Sequence, residues 1–247
     1  MTDVSERPVA ARLGAVRERI AAAARAAGRD PAEIRLVGVS KRQPVAAIRA
    51  AIDAGLADLG ENFVQEAVAK MDALGPVLGT VPGTVPRTGP KWHFIGALQS
   101  NKTAVAAARF DWVQSVDRLK LAERLSRQRP AELPPLNVCL QVHIGAEASK
   151  AGVPVAEAAA LAHQVAGLPQ LRLRGLMAVP PPETDPARQR AWCRQLAELF
   201  RALQHDGLAL DTLSMGMSDD LEAAIAEGAT MVRIGTAVFG PRPAGPI

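Results

Sequence analysis

Eight short apolar runs, the first seven each followed by a stretch with helical spacing, constrain this chain more than any other feature. They fall at 35–41, 56–62, 91–96, 111–116, 136–144, 171–179, 210–215 and 231–239. The first, Arg-Leu-Val-Gly-Val-Ser-Lys, carries Leu36, Val37 and Val39, the aliphatic and β-branched character of a strand covered on both faces in a parallel sheet. Repeated βα units of this kind close most economically as a single (β/α)8 barrel of the TIM type. After the eighth run only residues 240–247 remain, too few for a last outer helix. An extra N-terminal helix at 9–27, stopped by Gly28-Arg-Asp-Pro31, is expected to fill that gap. The reading is therefore one α/β domain over 1–247. The competing doubly wound sheet lacks the Gly-x-Gly-x-x-Gly turn that should follow its first strand.

Composition narrows the function classes. Hydrophobic residues make up 48% and charged residues 22% of the 247, ordinary for a globular chain with a full core. The net charge of +4 is spread over helix faces without a basic run, and three Trp, five Phe and no Tyr leave little to stack on bases, so nucleic acid is not an expected partner. No apolar stretch reaches membrane-spanning length, and Met-Thr-Asp-Val-Ser-Glu-Arg-Pro8 lacks a signal-peptide core. Two isolated cysteines, Cys139 and Cys193, fit a reducing compartment, and cytoplasm is the expectation. Residues 75–90, with a tandem Gly-Thr-Val-Pro, read as a flexible Gly/Pro insertion entering a strand from the face opposite the strand ends.

In a barrel of this type chemistry sits where strands end. Those positions hold Lys41, Asn62, Gln99 to Asn101, Ser115 with Asp117, Glu147 to Lys150, Met177 before Pro180-Pro-Pro182, Ser214 to Asp220, and Gly235 with Thr236. The loops after strands seven and eight, Ser214-Met-Gly-Met-Ser218 and Arg233-Ile-Gly-Thr236, offer small residues, hydroxyls and helix starts, as a phosphate site requires. Either loop alone reads more readily as a helix cap, through Ser218 or through Asp219 with Glu222; it is their coincidence that favours phosphate. Of only six lysines, Lys70, Lys102 and Lys120 fall in helical stretches and Lys91 enters its strand from the far side. Lys150 reads as a solvated loop residue beside Glu147. Lys41 remains as an amine partly desolvated at the mouth: a nucleophile toward carbonyls, or a salt-bridged rim residue. A Schiff-base lysine facing a phosphate cradle is the arrangement that holds pyridoxal 5'-phosphate (PLP). The four histidines lack metal-ligand spacing, with His93 and His143 expected as hydrogen-bonded core residues, and no Gly-x-Ser-x-Gly elbow supports a hydrolytic triad.

Six segments resemble the pyridoxal phosphate homeostasis proteins, whose barrel is similar to the N-terminal domain of alanine racemase. They are Val39-Ser-Lys41, Gly60-Glu-Asn-Phe-Val-Gln-Glu66, Trp92-His-Phe-Ile-Gly-Ala-Leu-Gln-Ser-Asn-Lys102, Gly175-Leu-Met177, Leu213-Ser-Met-Gly-Met-Ser-Asp219 and Val232-Arg-Ile-Gly-Thr-Ala-Val-Phe-Gly240. The resemblance implies a Schiff base between Lys41 and PLP, a phosphate held by Ser218, Gly235 and Thr236, Arg233 facing the pyridine nitrogen, and Asn62 lining the pocket. It also implies a protein that handles vitamin B6 without catalysing a known reaction, with PLP-dependent apoenzymes as partners and a monomeric or homodimeric state. Whether Lys150 holds a second PLP stays open. The chain departs from the family in Phe63, where tyrosine is usual, in His143, where asparagine is common, and in the longer 75–90 insertion. The alternative is a PLP-dependent amino-acid racemase, which would need a tyrosine base that this chain does not contain. A phosphosugar enzyme on the same barrel is a further rival.

Overall fold

A computed structural model describes residues 8–75, 89–145 and 151–242. The barrel strands are β1 (Arg35–Val39), β2 (Asp58–Glu61), β3 (Lys91–Phe94), β4 (Trp112–Val116), β5 (Leu136–His143), β7 (Leu171–Met177), β8 (Thr212–Ser214) and β9 (Met231–Ile234). They run in the order β4-β3-β2-β1-β9-β8-β7-β5, every pairing parallel, and β4 pairs with β5 to close the ring. This is the expected eight-stranded parallel barrel. No periodicity marks β6 (Val153–Pro154), a two-residue strand on the end of β5.

Helices cover the outside: α1 (Val9–Ala26), α2 (Val45–Asp53), α3 (Val64–Leu74), α4 (Thr103–Arg109), α5 (Leu119–Gln128), α6 (Val155–Ala166), α7 (Pro186–His205), α8 (Leu221–Ala226) and α9 (Thr236–Phe239). The extra helix α1 buries one stripe, Leu13, Val16, Ile20 and Ala24, and packs against α2, α8 and α9 where the last outer helix would lie. Its Arg12 donates to the carbonyls of Val238 (3.0 Å) and Phe239 (2.8 Å), satisfying the end of α9. The expected eighth strand, 231–239, needs correction. It stops at Ile234, because Gly235 (φ −103°, ψ −88°) breaks the ladder and Thr236–Phe239 turns into a helix that buries Val238 and Phe239 beneath α1.

Alternation along the strands decides what faces the mouth. Val37, Trp112, Cys139, Met177 and Met231 form a cluster separate from the main core, one from each of five strands, and mark the barrel interior. Counting by twos places Val39 and then Lys41, Gly60 and then Asn62, His143, and Arg233 on that interior side, toward the carboxyl ends. Leu36, Leu59, Leu176 and Val232 face the helices.

Gly175 is a point of close approach: a Cβ there would lie 1.7 Å from the carbonyl oxygen of Thr212, beside an irregularity in the β5–β7 register. Gly175→Ala should therefore cost at least the ~1–3 kcal/mol usual for overpacking. A urea midpoint equal to that of the parent would contradict this.

Candidate functional site

Lys41 sits two residues beyond the end of β1, half-buried, in a tight bend whose next residue, Arg42, has φ of 59°. A non-glycine residue in that region needs support. It comes from below. Lys70 of α3 donates to the Ser40 carbonyl (2.7 Å), Glu61 (2.7 Å) and Glu66 (2.6 Å), while the Arg42 amide donates to Glu66 (2.5 Å) and the Ser40 hydroxyl to Glu61 (2.6 Å). The sequence places Lys70 only in a helical stretch; the structure buries it. The signal was the Glu66-x-x-x-Lys70 spacing, which places both groups on one helix face under the Lys41 bend. Burial pushes the Lys41 amine below its ordinary value, with Arg242 and Arg42 adding to the effect and Glu61 and Glu66 opposing it. An amine shifted this way carries more of its nucleophilic neutral form at neutral pH.

The two loops expected to form an anion cradle flank β1. Arg233 lies in the strand hydrogen-bonded to β1, and Gly235 stands against Val39, 3.5 Å from its carbonyl oxygen to a notional Cβ. The Arg233 amide donates to the Gly216 carbonyl (2.9 Å), tying the 214–218 loop to the same edge. Ser218 is partly exposed and Thr236 exposed, so both hydroxyls are accessible. The local helix cap expected from Asp219 and Glu222 does not form. Asp220 accepts from the Met217 amide (2.6 Å) instead, and Glu222, in the first turn of α8, pairs with Arg19 of α1 (2.5 Å).

Arg233 is 4% exposed and held at two points, donating to Ser214 Oγ and to the Ala178 carbonyl, each at 2.7 Å. Burial pushes its guanidinium down to about 10, which leaves it charged at neutral pH. Some of the unpartnered buried side-chain atoms lie at the same mouth. Among the described residues Asn62 Oδ1, Ser115 Oγ and His143 Nε2 lack partners, and all lie at the carboxyl ends of β2, β4 and β5. His143 thus departs from the expected hydrogen-bonded core residue, whereas His93 fits it. Buried polar atoms left open at one end of a barrel suit a polar ligand there. The residues present match PLP: an amine for the aldehyde, small residues and hydroxyls for the phosphate, a fixed donor for the ring nitrogen.

Beside the mouth, Pro180, Pro181, Pro182, Trp192, Met217 and Asp220 line a cavity of about 580 Å³, so the proline run forms a rim. A cavity of about 600 Å³ at the opposite end of the barrel is lined by Arg35, Asp58, Arg174 and Asp211. Its arginines are already engaged: Arg174 by Asp211 and Asn137, Arg35 over the Trp112 ring at 5.6 Å and beside Asp58. Both cysteines are free and buried, their thiols pushed up to about 12 by burial. Among the described residues no group of His, Cys, Asp or Glu could hold a metal, and no helix is long and apolar enough to cross a membrane. Lys150, Glu147 and residues 76–88 of the insertion lie outside the described residues.

The alanine racemase N-terminal domain model matches residues 11–243. A protein of Pseudomonas aeruginosa named pyridoxal phosphate homeostasis protein is 56% identical over 234 residues, 95% of this chain and 96% of that one. The chain belongs to the pyridoxal phosphate homeostasis protein family. A family member of the same name from Escherichia coli K12 is 54% identical over 95% of this chain and 97% of its own. Among solved structures, PipY of Synechococcus elongatus, determined with PLP bound, matches with a TM-score of 0.80 and 38% identity, covering 94% of this chain and 100% of that one.

Proposed function

We propose that this chain binds PLP, holds it as a Schiff base on Lys41, and controls the intracellular level of the free cofactor rather than turning over a substrate. The observation that carries this reading is Lys41 itself, a half-buried amine with a lowered pKa at the carboxyl end of β1, next to the 233–236 loop. The family's name and the PLP-bound relative support it.

In this reading PLP supplies an aldehyde, with which the free Lys41 amine condenses and releases water. Ser218, Gly235 and Thr236 bind the phosphate through hydroxyls and through the first N–H groups of α8 and α9, which have no intrahelical partners. Arg233 donates toward the pyridine nitrogen; a permanent donor there leaves the nitrogen unprotonated and weakens the ring as an electron sink. Asn62 and His143 present their open polar atoms to the ring substituents. PLP-dependent apoenzymes in the cytoplasm are the recipients, and the protein acts as a monomer or homodimer.

The test is to add PLP to the purified protein, reduce with borohydride and map the label by peptide mass. The label is expected on Lys41, and a label on another lysine overturns the assignment. A racemase would need a second base on the other ring face, and no tyrosine exists to serve. The PLP-loaded protein is accordingly expected to leave L-alanine optically unchanged; measurable racemisation would refute the binding-protein reading.

A further inference from the structure

Four side chains behind Arg233 form a chain of hydrogen bonds through the centre of the barrel. Arg233 Nη1 donates to Ser214 Oγ (2.7 Å), the Ser214 hydroxyl donates to Gln114 Oε1 (2.6 Å), Gln114 Nε2 donates to His93 Nδ1 (2.9 Å), and His93 Nε2 donates to Asp58 Oδ1 (2.8 Å). Ser214, Gln114 and His93 are fully buried. The two ends force the direction. An arginine can only donate and a carboxylate can only accept, so every intervening group must pass its donor the same way. Turning the Gln114 amide over would set its carbonyl against the Nδ1 lone pair and strand the Ser214 hydroxyl hydrogen. His93 is thereby fixed as the Nε2–H tautomer. It is also stacked on Trp112, with ring centroids 5.2 Å apart and planes 12° apart.

We propose that Ser214, Gln114, His93 and Asp58 are positioning residues: their one-way relay holds Arg233 as a fixed donor toward the mouth, so that the site selects a ring nitrogen carrying a lone pair. This rests on the proposed PLP site. Two Arg233 donors are committed, one to Ser214 and one to the Ala178 carbonyl, so the guanidinium cannot turn to suit a different ring. Breaking the relay at Ser214 frees one Nη and lets the group swing. A cation facing a pyridinium is repelled; a cation facing a lone pair makes a charge-assisted hydrogen bond. Selection between the two is what the relay supplies.

The experiment separates ring recognition from imine formation by using pyridoxine 5'-phosphate, which has no aldehyde, and its N-methylpyridinium analogue, which has no ring lone pair. Calorimetric titration of the wild type should favour the first probe by about tenfold or more, the range of a hydrogen bond to a charged group. In Ser214→Ala and in Gln114→Leu the preference should fall to within about twofold, while a melting curve confirms that each variant is folded. Should Gln114→Leu not fold, Ser214→Ala decides alone. A folded Ser214→Ala that keeps the wild-type ratio overturns the relay and leaves the PLP site standing. A wild type that binds neither probe overturns both. Nitrogen-15 spectra of the cofactor-free protein give a second readout. His93 should carry its proton on Nε2, and Gln114→Glu should drive the ring to double protonation. A proton on Nδ1 alone in the wild type reverses the relay and sinks the proposal.

Discussion

Lys41→Met is expected to abolish the visible band that PLP gives with the wild-type protein, and at the same time to raise the melting temperature. The first effect follows from chemistry, since a thioether cannot condense with an aldehyde. The second follows from position. Burial, with Arg242 and Arg42, disfavours the charged amine, so the folded state holds this proton less tightly than the unfolded chain does. A lysine with a depressed pKa destabilises the fold wherever it is charged. That penalty is full below the folded-state value and vanishes above the ordinary 10.5, where the amine is neutral in both states. The stability gained by methionine, which keeps a stem of similar length, should accordingly be largest near neutral pH and fade toward pH 10.5. A residual band in the variant would place the Schiff base on another lysine. A variant that melts below the wild type at pH 7 would mean that Lys41 is a salt-bridged rim residue after all.

The barrel was legible because most strands are largely buried on both faces and leave short, mainly apolar runs, a signal that helices of ordinary spacing do not blur. Lys41 was legible for a related reason: a charge ending such a run has no structural excuse. Lys70 was not, because spacing along α3 gives which residues share a face but not which face meets the barrel. Its role depends on Glu61, which belongs to a different element and points outward from β2. The end of the last strand failed for composition. Thr-Ala-Val-Phe suits a strand or a helix, and the choice was made by Gly235 and by the packing of Val238 and Phe239 under α1. Arg233 and His93 were visible as polar residues inside apolar runs, but the link between them passes through Gln114 and Ser214. That link exists only once a ring of strands brings β3, β4, β8 and β9 around one axis.

Lys70→Met should be the most destabilising single change near the site, and it should slow Schiff-base formation at an unaltered Lys41. The Lys70 ammonium is 8% exposed and bonded to two carboxylates, one of them, Glu61, fully buried. Removing a partner from a buried pair leaves an uncompensated charge, at a cost of about 3–5 kcal/mol. Against the ~5–15 kcal/mol by which a domain is stable, that is a large share. Burial already holds Glu61 above its ordinary 4.5, and Lys70 is the strongest force acting the other way. Without Lys70 the Glu61 value must rise further. An acid with a raised folded-state pKa favours the fold when protonated, so the deficit of the variant should be small near pH 4.5 and grow as pH rises through the folded value. Adding Glu61→Gln should recover part of the loss at pH 8 by removing the stranded charge. The slower condensation has a separate origin: Lys70 holds the Ser40 carbonyl and orients Glu66 toward the Arg42 amide, the two contacts that keep the strained bend in shape. Urea melts at pH 5 and pH 8, with the rate of band formation at saturating PLP, test both parts. A loss under about 1 kcal/mol at pH 8, below the usual effect of breaking a buried pair, together with a wild-type rate, would show that the bend supports itself.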